Sequence, residues 1–176
     1  MNLERYQRGV LELVKGRDIS LEDPHLQEVA SSRGLAVMKT IAIWWRVFAL
    51  ESHCYFTSRA LRRLGCFETM VTRYFREHPT SAFVEELSDG FLAWLAGEIE
   101  GTARCVIEFE RAFLRARAGF GELVEVWWDQ NPDSVFDALA RGVALPPAEA
   151  GVSYRLRIGS DLPGLAECRR LRSPAD

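Results

Sequence analysis

Lysine is nearly absent from this chain: Lys15 and Lys39 are the only lysines among its 22 basic residues, and all the others are arginine. The formal net charge is −3, so the chain lacks the basic excess with which dedicated nucleic-acid-binding proteins neutralise phosphates. This balance argues against a nucleic-acid partner and leaves only a local basic patch open. Arginine's planar guanidinium favours fixed contacts with carboxylates and carbonyls, so these residues suit defined protein contacts.

Residues for catalysis and metal binding are also few. The histidines His25, His53 and His78 show no HxH, HxxxH or HExxH spacing, and no GxSxG, phosphate-loop or GxGxxG motif occurs. The cysteines form no CxxC pair and are expected to be reduced thiols; they are Cys54, Cys66, Cys105 and Cys168. We predict no metal and no cofactor in this chain. A site assembled from distant residues, as in a stand-alone enzyme, stays open as an alternative.

A long hydrophobic run is missing too. The most apolar stretch, Leu35 to Leu50, is interrupted by Lys39 and Arg46 and is shorter than the ~20 residues that a membrane span needs. The N-terminus lacks the basic and apolar pattern of a secretory signal, so we expect a cytoplasmic protein with no membrane partner. Because apolar residues lie all round this stretch, it predicts the buried central helix of a bundle, with Trp44 and Trp45 largely buried.

Hydrophobic periodicity predicts an α+β protein, with a mainly helical bundle and a small β-sheet appendage. Helical spacing continues to about Gly119, with a break predicted at Ser88–Gly90, so the chain divides into a helical domain over 1–119 and a β-rich domain over 120–176. Strands are predicted over 123–128, 152–158 and 165–171 because these segments are rich in β-branched and aromatic residues or alternate in polarity. A helix that starts at Asn131–Asp133, with Asn131 or Asp129 near its cap and Pro132 at an early position, ends at Gly142.

The β-rich domain contains the candidate binding residues. A small sheet near a chain end has open edges, which proteins either protect or use to add a partner strand. We predict a peptide-binding edge at Tyr154–Ile158, and the alternative is a solvated edge protected by its arginines. Trp127 and Trp128 face opposite sides of a strand, so one packs on helices and the other is either exposed for peptide contact or covered by the helix around Phe136. The predicted site residues are Tyr154, Arg155, Leu156, Arg157, Ile158, Trp127 and Trp128.

Acidic residues concentrate in the middle of the chain, between Glu85 and Glu110. Paired carboxylates support acid–base catalysis, but on helices with a clear apolar face they usually form the solvated side. Glu108 and Glu110 do not face one partner, because residues two apart point away from each other on a helix. We therefore predict no catalytic residue here and expect these carboxylates to be solvated.

Several segments of the chain carry a family resemblance: Arg33–Lys39, Tyr74–Ser81, Gly90–Leu95 and Phe109–Ala112, with the β-rich tail from Val124 to Leu171. The most specific part is His78-Pro79 followed by the block that begins at Gly90-Phe91. Together these segments, which span most of the chain, resemble the HvfC-type family, and within it the MbnC-type partner proteins of methanobactin biosynthesis.

The resemblance implies a non-catalytic subunit that pairs, as a heterodimer, with an MbnB-like multinuclear non-haem iron oxidase. That complex uses dioxygen to convert cysteines of a ribosomally made, MbnA-like precursor peptide into oxazolone and thioamide groups of the copper chelator methanobactin. The iron is expected in the partner subunit, and this chain is expected to hold the leader peptide, in part by strand addition.

A second hypothesis is a DNA-binding transcriptional regulator of the HvfC type. It would use the short helices between Phe56 and Glu77, where five arginines gather: Arg59, Arg62, Arg63, Arg73 and Arg76.

Overall fold

The computed structural model describes residues 3–17, 23–120 and 122–172. Within these ranges the fold is α+β, as predicted, with eight α-helices and one three-stranded antiparallel sheet. The helices are α1 (Leu3–Val14), α2 (Pro24–Ser31), α3 (Arg33–His53), α4 (Tyr55–Arg63), α5 (Phe67–Glu77), α6 (Val84–Glu98), α7 (Gly101–Arg117) and α8 (Pro132–Arg141). The strands are β1 (Val124–Trp128), β2 (Val152–Ile158) and β3 (Ala166–Arg172).

The chain groups into two compact units that do not follow the predicted boundary near residue 119. The first unit comprises Met1–Ala49 with Glu68–Thr80, and the second comprises Leu50–Phe67 with Ser81–Asp176. The difference arises because residues of α4 and α7 share one hydrophobic core with the sheet and α8. The β-rich segment therefore does not form a core of its own.

In the first unit, α1 and α2 pack around a small core of Leu13, Leu26 and Leu35. The close approach of α2 to α1 depends on Gly9, because a Cβ atom there would lie 2.6 Å from Cδ1 of Leu26. The segment after α1 is fixed to the end of α5, since Nε of Arg17 donates to the carbonyl of Arg76 over 2.7 Å.

Helix α3 departs from the prediction of a buried central helix, which is wrong. Only Leu35 and Leu50 are buried along it, and six large apolar side chains are 48–57% exposed: Val37, Met38, Ile41, Trp44, Trp45 and Phe48. Within the first unit, Leu35 joins the α1–α2 core and the guanidinium of Arg46 lies 5.1 Å from the ring centre of Phe75. Both residues lie on the side of α3 away from the exposed stripe, because successive helical residues are about 100° apart.

The second unit is built on the inner face of the sheet. Val126, Trp128, Tyr154, Leu156 and Ile158 form one core with residues of α4, α7 and α8. The helix α8 lies as predicted, because its start and stop signals are local. Oδ1 of Asn131 accepts from the amides of Asp133 and Ser134, and Gly142 ends the helix with φ of 68°.

The predicted break at Ser88–Gly90 is wrong, because α6 runs without interruption from Val84 to Glu98. Serine and aspartate disfavour helix interiors when their side chains compete for the local backbone. Here both are engaged elsewhere: Oγ of Ser88 lies 2.9 Å from Nδ1 of His53, and Asp89 accepts from Arg111 over 2.9 Å.

No helix of the described residues is long and apolar enough to cross a membrane.

Candidate peptide-binding site

The order of the strands decides where a partner strand could pair. The sheet order is β1-β2-β3, so β2 pairs with β1 on one side and with β3 on the other. The prediction that Tyr154–Ile158 form an open edge is therefore wrong: they lie in the central strand, whose two sides are both occupied. Among the described residues, the strands with one neighbour each are β1 and β3.

Four of the seven predicted site residues face inward. Tyr154, Leu156, Ile158 and Trp128 are 4%, 5%, 1% and 2% exposed and belong to the hydrophobic core, so their side chains do not face a ligand. The phenol of Tyr154 donates to Oε1 of Glu149 over 2.7 Å, and this hydrogen bond raises the pKa of Tyr154. The assignment of these four side chains to peptide contact is corrected accordingly.

The other three predicted residues, Trp127, Arg155 and Arg157, lie on the outer face. Trp127 is 55% exposed, whereas Trp128 is covered by α8, with its ring centre 5.5 Å from that of Phe136. The sequence left open whether the outward tryptophan is exposed or covered by the helix around Phe136; Trp127 is the outward one, and it is exposed. In the register of the sheet, Trp127 stands opposite Arg155, and Arg155 stands opposite Arg169 of β3, so these three form one row across the face.

The charges of this outer face are unevenly compensated. Arg157 pairs with Glu167 over 3.2 Å and with Glu125 over 3.6 Å, and the hydrogen bond from Arg169 lowers the pKa of Glu167. Arg155 makes a long ion pair with Glu125, over 3.8 Å, and its guanidinium lies 5.9 Å from the ring centre of Trp127. Its buried Nε has no hydrogen-bond partner among the described residues. Since like charges opposite each other on a sheet repel, the pair Arg155 and Arg169 favours an added anion.

The two edges of the sheet differ in how much they are covered. Next to β1, the Sγ atom of Cys105 on α7 lies 3.2 Å from the carbonyl oxygen of Trp127, so that edge is flanked by a helix. Along β3, Cys168, Arg169 and Arg170 are exposed. In an antiparallel pair, every second residue of an edge strand directs its N–H and C=O away from its partner. The edge available for an additional strand is therefore β3.

One buried acidic residue was missed by the sequence analysis. Glu110 of α7 is 5% exposed, not solvated as expected, and its carboxylate accepts from the amides of Phe56 and Thr57 over 2.9 and 2.7 Å. These amides belong to the first turn of α4, whose N-cap residue Cys54 makes no side-chain cap hydrogen bond. A signal for this role existed, because Glu110 lies four residues after Val106 and three before Phe113, on the apolar side of α7.

A cavity of about 700 Å³ lies beside α6 and α7, with His53, Asp89, Arg111, Arg115 and Phe120 among its lining residues. Burial lowers the pKa of His53. Partial burial raises the pKa of Asp89, but the hydrogen bonds and positive charges of Arg111 and Arg115 together bring it below its ordinary value. Both arginines engage the same carboxylate, so the cavity wall is an internal ion-pair cluster rather than a nucleophile with its base.

The arginines that motivated the DNA-binding hypothesis are engaged within their own units. Arg62 pairs with Glu51, and both Arg73 and Arg76 pair with Glu77. The guanidinium of Arg59 lies 3.5 Å from the ring centre of Tyr55, and Arg63 donates to the carbonyl of Val143. These contacts limit the positive charge available to phosphates.

Within residues 3–17, 23–120 and 122–172, no group of three or more histidine, cysteine, aspartate or glutamate side chains is arranged to hold a metal ion. No protein family, curated protein or solved structure matches this chain.

Proposed function

We propose that this chain is a non-catalytic partner subunit that binds the leader of a ribosomally made, MbnA-like precursor peptide for an MbnB-like iron oxidase. The observation that carries the proposal is the exposed edge strand β3, which among the described residues pairs only with β2. This strand borders an outer face that carries an exposed tryptophan and three arginines, Arg155, Arg157 and Arg169. The oxidase would supply the iron chemistry on the precursor's cysteines in methanobactin biosynthesis, and this chain would supply the binding surface.

The edge strand accounts for affinity without requiring a particular leader sequence. An extended peptide that pairs with β3 forms main-chain hydrogen bonds, which is how strand addition binds. Specificity then comes from side chains on the outer face of the sheet, because the added strand continues this face beyond β3. There Arg169 lies on the edge strand itself, Arg155 lies directly opposite it, and Trp127 completes the row.

Arg155 and Arg169 are only partly neutralised by neighbouring carboxylates, and this determines which leader side chain the row of Trp127, Arg155 and Arg169 would bind. Arg155 makes only a long ion pair with Glu125, over 3.8 Å, so the exposed part of its guanidinium can bind a leader carboxylate, and hydrogen bonds to charged groups are stronger than neutral ones. The indole of Trp127 lies 5.9 Å from the guanidinium of Arg155 and offers an apolar surface beside it. Because side chains two positions apart share one face of an extended peptide, an acidic leader residue directed to this face, with an apolar residue two positions away, fits the row.

Peptide binding can be tested by fluorescence anisotropy with a fluorescein-labelled leader segment of the cysteine-bearing precursor encoded nearest to this gene. We expect saturable binding, weakened about tenfold by Arg155→Gln or Arg169→Gln, because each removes a charge from the row. Arg141→Gln is the matched control, since Arg141 pairs with Asp137 on α8, is 66% exposed and lies outside the sheet. Equal losses in all three variants would indicate nonspecific attraction and contradict the proposal.

A second comparison tests strand addition itself. N-methylation at every second residue removes the N–H groups on one side of an extended leader. Two leaders can be made, one methylated at the odd residues and one at the even residues, and only one of them loses the N–H groups that face β3. We expect one pattern to abolish binding and the other to leave most of it. If both patterns bind like the unmodified leader, the peptide does not pair with a strand edge.

A further inference from the structure

We infer that the exposed stripe of α3 is a self-association surface on which a second copy of this chain packs antiparallel. The stripe comprises Val37, Met38, Ile41, Trp44, Trp45 and Phe48, each 48–57% exposed. This inference is independent of the proposed function, because it concerns another unit of the chain and another kind of ligand.

The spacing within the stripe indicates a helical partner. Val37, Ile41, Trp44 and Phe48 are separated by four, three and four residues, which is the alternation of a and d positions in a helix-pairing seam. Met38 and Trp45 flank this seam on one side. Such a seam extends along three turns of one face, so a second helix fits along its whole length.

The chemistry of the stripe favours an identical helix over a charged partner or a membrane. No residue of the stripe is charged, and Lys39 and Arg46 lie on the opposite side of α3, so two copies meet without like-charge repulsion. A helix that lies on a membrane surface carries lysine and arginine along the flanks of its apolar face, and this stripe lacks them.

The order of side-chain sizes favours the antiparallel orientation. An antiparallel pair centred between residues 42 and 43 places Val37 opposite Phe48, and Ile41 opposite Trp44. A small side chain then faces a large one at every level of the seam, which allows close interdigitation. A parallel pair would instead place Trp44 opposite Trp44 and Val37 opposite Val37, and would leave alternating crowding and gaps.

The exposed area is sufficient for such a pair. Fully buried aromatic residues contribute about 150–250 Å² each, so the half-exposed stripe offers roughly 500–600 Å² per copy. Two copies would bury about 1,000–1,200 Å² together, which reaches the lower range of specific interfaces. The ring centres of Trp44 and Phe48 are stacked 5.6 Å apart, so part of the surface is already ordered before association.

Sedimentation velocity of the full chain from about 1 to 200 µM tests the inference, since interfaces of this size commonly give micromolar dissociation constants. We expect a reversible monomer–dimer equilibrium, and at least about 100-fold weaker dimerisation in Ile41→Arg, which places two like charges at the centre of the seam. Leu64→Arg is the matched control, because Leu64 is 57% exposed and outside the stripe. Circular dichroism verifies that both variants are folded.

A monomer across the whole range, or a dimer that Ile41→Arg and Leu64→Arg weaken equally, would overturn the inference.

Orientation is tested by mixing Val37→Cys and Phe48→Cys chains under mild oxidation. The antiparallel pair brings residue 37 of one copy opposite residue 48 of the other, so we expect the mixed disulfide to form faster than either self-linked product. Preferential linkage of residue 37 to residue 37 would contradict the antiparallel arrangement.

Discussion

Replacing Phe136 by alanine is expected to lower the free energy of unfolding by about 2–3 kcal/mol, the lower range for losing a packed phenylalanine, because this side chain is only partly buried. The ring of Phe136 on α8 lies 4.4 Å from that of Phe109 on α7, 4.8 Å from that of Phe56 on α4, and 5.5 Å from that of Trp128 on β1. One side chain therefore connects three helices and the sheet, and its removal leaves a cavity where all four elements meet.

Urea unfolding followed by tryptophan fluorescence measures this loss. Phe136→Leu keeps most of the volume and is expected to cost only about 1 kcal/mol. Phe120→Ala is the matched control, because Phe120 is 68% exposed and should change stability by less than about 0.5 kcal/mol. Equal effects of Phe136→Ala and Phe120→Ala would contradict the shared core of α4, α7, α8 and the sheet.

The features that the sequence predicts well are those that depend on neighbouring residues. The cap at Asn131 and the stop at Gly142 define α8, because both act within one turn of the helix. The alternation of Val152–Ile158 identifies a strand and places Arg155 and Arg157 on one face, since side chains alternate along a strand, although the assignment of Tyr154 to peptide contact is wrong. These features hold whatever else the strand or helix contacts.

The features that the sequence predicts poorly depend on which elements meet. Alternation assigns residues 152–158 to a strand but does not show that a strand pairs on each side, so the edge was placed on β2 instead of β3. Likewise, period-two spacing puts Trp127 and Trp128 on opposite faces of β1 but does not tell whether the outward one is exposed or covered. The all-round apolar pattern of α3 indicates burial, yet its own unit covers only part of it.

The two proposed surfaces use different physical means of association. The edge of β3 offers main-chain groups and partly compensated arginines, which suit an extended acidic peptide. The stripe of α3 offers uncharged apolar area, which suits another helix. Since the stripe lies in the first unit and the sheet in the second, variants of one surface should leave binding at the other intact, and each set serves as a control for the other.

Replacing Glu110 by alanine is expected to cost roughly 3 kcal/mol at neutral pH. The change leaves two amides of the first turn of α4 without an acceptor, in a site where burying an unsatisfied polar group costs about 1–3 kcal/mol each. It also removes a negative charge from a helix N-terminus. Glu110→Gln keeps one acceptor and should cost about 1–2 kcal/mol. Glu108→Ala is the matched control, because Glu108 is only half-buried and its carboxylate pairs with Arg104 on the surface of the same helix.

Glu110 also makes a specific contribution to the pH dependence of stability. Burial raises the pKa of this carboxyl, although the amides of Phe56 and Thr57 oppose the shift. The folded state therefore binds the proton of Glu110 more tightly than the unfolded state does. This proton binding stabilises the fold fully at pH values below the ordinary pKa of 4.5. The stabilisation is lost as the pH rises through the raised pKa of the folded state. The unfolding free energy of the native chain minus that of Glu110→Gln should therefore fall from pH 4.5 to pH 8. A difference that rises with pH would mean that the two amides outweigh burial.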